Sequence, residues 1–319
     1  MSGPRQGVGS RVPPRSRARR VRIVLEAVPN VSEGRDGGVI DEIGRAFASR
    51  AALLDVHADP DHHRSVFTLA GESSTLAESL VEGISRAVEL VDLREHDGVH
   101  PRVGVADVVP VVSFVPEDQE LADEVACRLA ERIGAELGLP VFLYGQIGGG
   151  RRPAFFRRGG LAELERRVQT GDIRPDAGPN RLDPRVGAVL VGARAPLVAY
   201  NVDLGTDDVR VAAAIAAEIR ESGGGMAGVQ AIGLDLPRSG RVQVSMNVLD
   251  LVRSPLHEVI ERVRRAAGSR GIAIAGGELV GLVPEHVLAA ARAAGVVVPG
   301  VDESRTLEGA LARSGFLDA

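Results

Sequence analysis

A chain of 319 residues, 44% apolar and 25% charged, is long enough for two ordinary domains, and its near-average composition excludes wholesale disorder, collagen and coiled coil. All 38 basic residues are arginine, which removes an internal lysine Schiff base and the lysine of a phosphate-binding loop. The net charge of −5 is uneven: residues 1–20 hold six Arg and no acid, leaving 32 Arg against 43 Asp and Glu, an acidic remainder that makes a poor nucleic-acid binder even if the basic arm itself could touch RNA, and no apolar run approaches the roughly 20 residues of a bilayer span.

Residues 1–21 are rich in Gly, Pro, Ser and Arg and lack an apolar h-region, so the expectation is a disordered basic tail rather than a secretory signal. From Ile23 to Val28 a mostly apolar run reads as a strand, and Val39, Ile40, Ile43 and Phe47 then fall at helical spacing. Ala51 to Val56 and Ser65 to Leu69 read as strands around Asp59-Pro60-Asp61. Leu76, Leu80, Ile84 and Val88 mark a helix opened by the capping pair Thr75 and Glu78, and Val103 to Val112 is the next strand. A long helix carries Leu121, Val125, Leu129, Ile133 and Leu137, and Val141 to Tyr144 is a strand.

The order β-α-β-β-α-β then returns. Leu197 to Leu204 is a strand, Val211, Ile215 and Ile219 lie on a helix, and Val229 to Leu234 and Val242 to Val248 are paired strands. A helix capped by Ser254 with Pro255 in its first turn leads to Ile272–Ala275 and Leu279–Leu282. The expected fold is therefore α+β, two ferredoxin-like βαββαβ subdomains in tandem, spanning 22–194 and 195–319. The Gly-, Pro- and Arg-rich stretch up to Gly187 shows no periodicity and reads as a functional or flexible loop; its glycines lack the spacing of a dinucleotide fingerprint.

Five of the seven histidines precede residue 101, but Gly98 and Pro101 argue against a helix presenting His96 and His100 together, and no metal is expected. Cys127, the single cysteine, leaves no intrachain disulfide, as suits a reducing cytoplasm. His100 lies in Asp97-Gly98-Val99-His100-Pro101-Arg102-Val103-Gly104, a turn-rich loop entering a strand. That is a natural place for an acid/base, although a solvated loop has the same signature. Arg64, Arg102 and Arg181 stand in similar irregular settings, where converging guanidinium groups would suit carboxylates.

Several segments, in order from residue 22 to about 290, resemble the glutamate formimidoyltransferase family. They are Ala27-Val28-Pro29-Asn30-Val31-Ser32-Glu33-Gly34-Arg35, His96 to Gly104, Pro140 to Gly145, Gly187 to Leu204 with Gly192-Ala193-Arg194 and Asn201, Val229 to Gly233, Val244-Ser245-Met246-Asn247 and Glu278-Leu279-Val280-Gly281-Leu282-Val283-Pro284. The resemblance implies a cytoplasmic, homodimeric transferase of histidine breakdown and two ferredoxin-like subdomains. Its reaction moves the formimino group of N-formimino-L-glutamate to N5 of tetrahydrofolate, a co-substrate, giving 5-formiminotetrahydrofolate and L-glutamate. His100 matches the family's proton-shuttling histidine. The folate-contacting loop matches Gly178-Pro179-Asn180-Arg181-Leu182-Asp183-Pro184-Arg185-Val186-Gly187. By position Asn30, Arg64 and Arg102 are expected in the cleft, the arginines facing substrate carboxylates.

The chain departs from the pattern at three places: His57 stands where the best-known members have an acid, His63 where they have Asn, and Val186 where they have Trp. A formyl group from N-formylglutamate, or another formimino donor, would use the same site, and a non-catalytic folate binder is the rival from another class. The pairs Arg151-Arg152 and Arg157-Arg158 are either a solvated loop or a receptor for a folate polyglutamate tail. No match to the cyclodeaminase half of fused animal members is seen, so ammonia release is expected to need another enzyme.

Overall fold

The structure, a computed structural model, describes residues 24–316; the expected disordered tail of residues 1–21 lies outside them. β1 (Val24–Ala27) and β2 (Asn30–Val31) share one position in a sheet, interrupted at Pro29, whose carbonyl accepts from the Phe67 amide. α1 (Gly37–Phe47) begins where the Asp36 carboxylate accepts from the amides of Gly38 and Val39, and buries Ile40, Ile43 and Phe47 as the periodicity predicts. β3 (Ala52–Asp59) and β4 (Arg64–Glu72) form a hairpin. α2 (Ser73–Leu90) starts earlier than expected; Thr75 is inside its first turn and donates back to the Glu72 carbonyl, so the predicted capping pair does not open the helix.

β5 is shorter than expected (Ala106–Val112), because residues 103–105 leave its line to meet the loop before Gly187. α3 (Gln119–Glu136) and β6 (Val141–Tyr144) follow. The stretch read as structureless contains α4 (Pro153–Arg157) and α5 (Gly160–Gln169), and after it β7 (Val189–Arg194) runs parallel to both β5 and β6. The first sheet thus has the order β3-β4-(β1,β2)-β5-β7-β6.

The second sheet is built from β8 (Val198–Leu204), α6 (Val209–Ile219), β9 (Val229–Leu236), β10 (Arg241–Val248), α7 (Leu256–Gly268) and β11 (Ile274–Val280). Ser254 does not cap α7; its hydroxyl donates to the Ala227 carbonyl, and Pro255 occupies the boundary. The two short strands expected at 272–282 are one strand with a bulge between Ile274 and Gly276. Its order, β11-β8-β10-β9, places the fourth strand of the repeat beside the first, then the third and the second; β5, (β1,β2), β4 and β3 follow the same order, antiparallel throughout. The chain is therefore a mixed α+β protein with two sheets.

Each sheet buries one face beneath helices. Leu25, Phe67, Leu69 and Val109 pack with α1, α2 and α3; Tyr200, Val202, Val244 and Leu279 pack with α6, α7 and α8 (Glu285–Ala293). The far face of β5, β7 and β6 is covered by Phe156 of α4 and Leu164 of α5. α9 (Leu307–Arg313) returns to the first sheet, where Leu307 and Leu311 close over Ala70 with Val24, Leu54 and Phe114.

Candidate active site

β5 and β7 are parallel neighbours, so the loops that enter them leave the same end of the sheet. One is the segment carrying His100 and the other is 178–187. They are joined at Gly104 and Gly187: Ala188 donates to the Val103 carbonyl (2.9 Å) and Val105 to that of Val186 (2.9 Å). Gly187 has φ +72°, and a Cβ there would stand 2.1 Å from the Val103 carbonyl oxygen, so only glycine lets the loops meet.

The His100 loop is held on every side. Arg102 Nη2 donates to the His100 carbonyl at 2.8 Å and also to that of Gly98. His96 Nε2 donates to the His63 carbonyl (2.7 Å) while its Nδ1 accepts from Gly98 (3.1 Å), which fixes a neutral ring. His63 Nδ1 accepts from the Gly34 amide (3.1 Å), and its ring stacks on His96 with centroids 4.1 Å apart. Burial, with Arg102 beside it, holds His96 down to about 4; burial likewise lowers His63 against the pull of Glu33. Gly98 passes so close to the β3–β4 turn that a Cβ would lie 2.3 Å from the His62 carbonyl oxygen.

Arg64, the first residue of β4, donates from Nη1 to His100 Nε2 at 2.8 Å. A guanidinium can only donate, so Nε2 carries the lone pair and Nδ1 the proton. Burial holds His100 well below the ordinary histidine range, and Arg64, Arg157, His62 and Arg102 add to it. His62 stacks on His100 at 5.6 Å and is itself lowered by burial and by Arg64. Burial brings Arg64 down to about 10, with Arg157 pushing the same way. Asp107, 2% exposed on the side chain, receives the Val103 amide on one oxygen (2.6 Å) and pairs with Arg157 of α4 through the other.

The other wall comes from the second sheet. Directly opposed residues in antiparallel strands share a face, so Asn30, Val66 and His57 form one row and Arg64 and Asp59 another. Across the gap, His57 Nε2 lies 3.4 Å from Glu278 Oε1, and Asn201 donates to Glu278 Oε2 at 3.0 Å. Burial alone would raise Glu278, but the His57 imidazole and Asn201 amide hold it charged, at about 2. Asp203 accepts from Gln243 (3.0 Å) and Arg241 (2.7 Å) on the same face. The Asp61 carboxylate receives the amides of Arg238 (2.7 Å) and Ser239 (3.2 Å) from the β9–β10 turn. Thr68 Oγ1, buried on this face, has no hydrogen-bond partner among the described residues.

Of the expected site residues, His100, Arg64 and Arg102 are thus brought together. Asn30 lies on the same face, with its amide donating to the Val28 carbonyl (2.9 Å). In the 178–187 loop the side chains of Leu182 and Val186 are buried in the cores, and Arg185 donates to the Val88 carbonyl (2.7 Å). Asp183 holds the turn by accepting from Arg185 and Gly187. Asn180, Arg181, Asp183 and Pro184 are exposed, Pro179 is half-buried, and Gly178 packs its backbone on Gly134 and Leu139. Of the four paired arginines, Arg152 reaches Glu221 (3.4 Å), Arg151 lies over Phe156, and Arg157 belongs to the Asp107 pair.

Asp107, His62, Glu278 and Asp61 border this cluster although sequence reasoning did not single them out, and Arg157, read from the sequence as part of a solvated loop or a polyglutamate receptor, joins it through Asp107. Asp107 had a usable signal, a carboxylate inside the apolar run Val103 to Val112, where a buried charge demands a partner. Among the described residues, no group of three or more His, Cys, Asp or Glu side chains is placed to hold a metal ion, and no helix is long and apolar enough to cross a membrane.

Comparison with known proteins decides the family. Residues 24–194 match the N-terminal subdomain of the formiminotransferase domain, and residues 199–296 match the formiminotransferase domain. The chain belongs to the formiminotransferase family. It is similar to the glutamate formimidoyltransferase of Thermoplasma acidophilum, 36% identical over 294 residues, covering 89% of this chain and 96% of that protein. The protein of the same name from Streptococcus pyogenes is 37% identical, covering 83% and 90%. The formimidoyltransferase-cyclodeaminase of Sus scrofa is 38% identical over 83% of this chain, which spans 51% of that relative. Both loops of the site lie within the first matched region of this formiminotransferase, and Glu278 and Asn201 lie within the second.

Proposed function

We propose that this formiminotransferase carries the formimino group of N-formimino-L-glutamate to N5 of tetrahydrofolate, with His100 as the acid/base. The observation that carries the reading is the match along almost the whole length of two relatives named for this transfer. N5 attacks the formimino carbon to form a tetrahedral intermediate, and the N5 proton passes to His100 Nε2. The bond from that carbon to the glutamate nitrogen then breaks, and the same proton leaves with the amine. A neutral imidazole with its lone pair on Nε2 is the form this step requires, and the Arg64 contact favours it. Arg64 and Arg102 supply cationic charge for the donor's carboxylates. The exposed part of the 178–187 loop faces folate, its apolar residues serving to anchor it.

In this reading the two runs of βαββαβ are ferredoxin-like subdomains, 22–194 and 195–319, and substrate lies between their polar faces. The working form is a cytoplasmic homodimer acting in histidine breakdown. The test is turnover of tetrahydrofolate with formiminoglutamate and separately with formylglutamate, by the wild type and His100→Ala. The expected result is 5-formiminotetrahydrofolate from the first donor, with kcat reduced about 10²–10⁴-fold in the variant. Product from formylglutamate alone would move the reading to formyl transfer, and folate binding without turnover of either donor would leave only a binder.

A further inference from the structure

The lone pair that His100 needs as a base is occupied. Arg64 Nη1 donates to Nε2 at 2.8 Å, so a proton cannot enter there while the contact lasts. We propose that Arg64 is a latch on His100, which the donor's carboxylate opens by drawing the guanidinium away, so that the base is unmasked only when substrate is bound. The inference rests on the transfer reading above and adds an order of events to it.

Three observations carry it. First, Arg64 has no carboxylate partner of its own at ion-pair distance among the described residues, unlike Arg157, which has Asp107, and Arg241, which has Asp203. Its side-chain hydrogen bond among the described residues is to His100, a neutral acceptor, and a carboxylate is the better one. Second, the acids around it have other partners: Asp107 pairs with Arg157, one oxygen of Asp59 receives the amides of Asp61 and His62, and Glu278 is engaged by His57 and Asn201. Third, beyond burial, which does most to keep His100 neutral, the ring is surrounded by groups that resist its protonation: Arg64 from β4, Arg157 from α4, His62 from the β3–β4 turn and Arg102 from its own loop. Asp107 offsets Arg157, and the Arg102 guanidinium is turned onto loop carbonyls, so Arg64 is the cation whose departure changes the ring most directly. Without the latch the lone pair would be free at all times; with it, binding energy from the carboxylate sets the base.

The test is ¹⁵N NMR of histidine-labelled protein between pH 5 and 9, with L-glutamate as the carboxylate probe. In the free wild type His100 is expected to stay neutral throughout, with Nδ1 protonated and Nε2 accepting. Saturating L-glutamate, or the Arg64→Met substitution in the free protein, should raise its protonation midpoint by about 1 pH unit or more, seen as proton uptake on Nε2 setting in at higher pH than in the free wild type. In Arg64→Met, glutamate should produce no further shift. Titration of His100 near its ordinary value in the free wild type overturns the proposal. So does a wild type that shows no response to glutamate, which decides the matter if Arg64→Met fails to fold. Because neither arm involves folate or turnover, the two readings separate: turnover of formiminoglutamate with an unresponsive His100 refutes the latch alone, and a responsive His100 without turnover refutes the transfer alone.

Discussion

Asp107 shows how one carboxylate organises a site it does not itself enter. One oxygen ends the His100 loop by taking the Val103 amide, and the other neutralises Arg157, a cation whose charge disfavours protonation of His100. Asp107→Asn keeps an oxygen for the amide and loses the charge, leaving a guanidinium only 16% exposed without a counter-ion. The expected cost is about 3 kcal/mol in chemical denaturation, together with a fall in kcat; a variant as stable as the wild type would show that Arg157 finds solvent instead. Glu26, on β1, makes a different residue-scale case. Burial lifts its carboxyl to about 7 against the pull of Arg194 and with a smaller push from Glu308. The unfolded chain ionises near 4.5, so the folded state is favoured while both are protonated, and that contribution is lost as pH climbs from 4.5 through 7. Ionisation at pH 8 costs roughly 3 kcal/mol. Glu26→Gln should therefore raise stability at pH 8 and leave it unchanged at pH 4.5, as urea melts at the two values would reveal.

Among the elements, the meeting of two loops at Gly104 and Gly187 sets the site. Gly187→Ala places a Cβ against a backbone carbonyl in a left-handed conformation. It is expected to lower stability by about 2 kcal/mol and to raise KM for tetrahydrofolate more than it lowers kcat, which steady-state kinetics with varied folate would check. This junction was out of reach of periodicity, since neither loop has any. The elements with one apolar stripe or alternation were legible: α1, α3, α7 and both hairpins appear within a few residues of their predicted limits. β7 was missed because both its faces are covered, so Val189 to Ala193 are all buried and alternation is absent. α5 was missed because only Leu164, Val168 and an arginine face inward, Arg167 being buried against Phe155 with its Nη1 on the Phe155 carbonyl. At the site, His100 and its loop were legible from resemblance. The Arg64 contact depends on a turn that brings residue 64 to residue 100, which local pattern does not encode.

On the scale of the molecule, the two sheets are tied through a few specific contacts. Asp61 takes two amides of the β9–β10 turn, His57 meets Glu278, and Arg305 reaches Asp55 at 3.3 Å. Asp61→Ala leaves two amides of that turn without their acceptor. It should lower Tm by about 2–4 °C and weaken binding of both substrates, with little change in the helix content seen by circular dichroism. Loss of Tm with unaltered KM would mean that the facing walls do not need this tie. The return of α9 to the first sheet bears on how the protein is made. Strands up to Arg194 can pair as soon as they emerge from the ribosome, but Val24, Leu54, Ala70 and Phe114 stay bare until Leu307 and Leu311 have been synthesised. At about 5–20 residues per second, that apolar patch waits roughly 5–20 s, long enough for a chaperone to hold the nascent chain there.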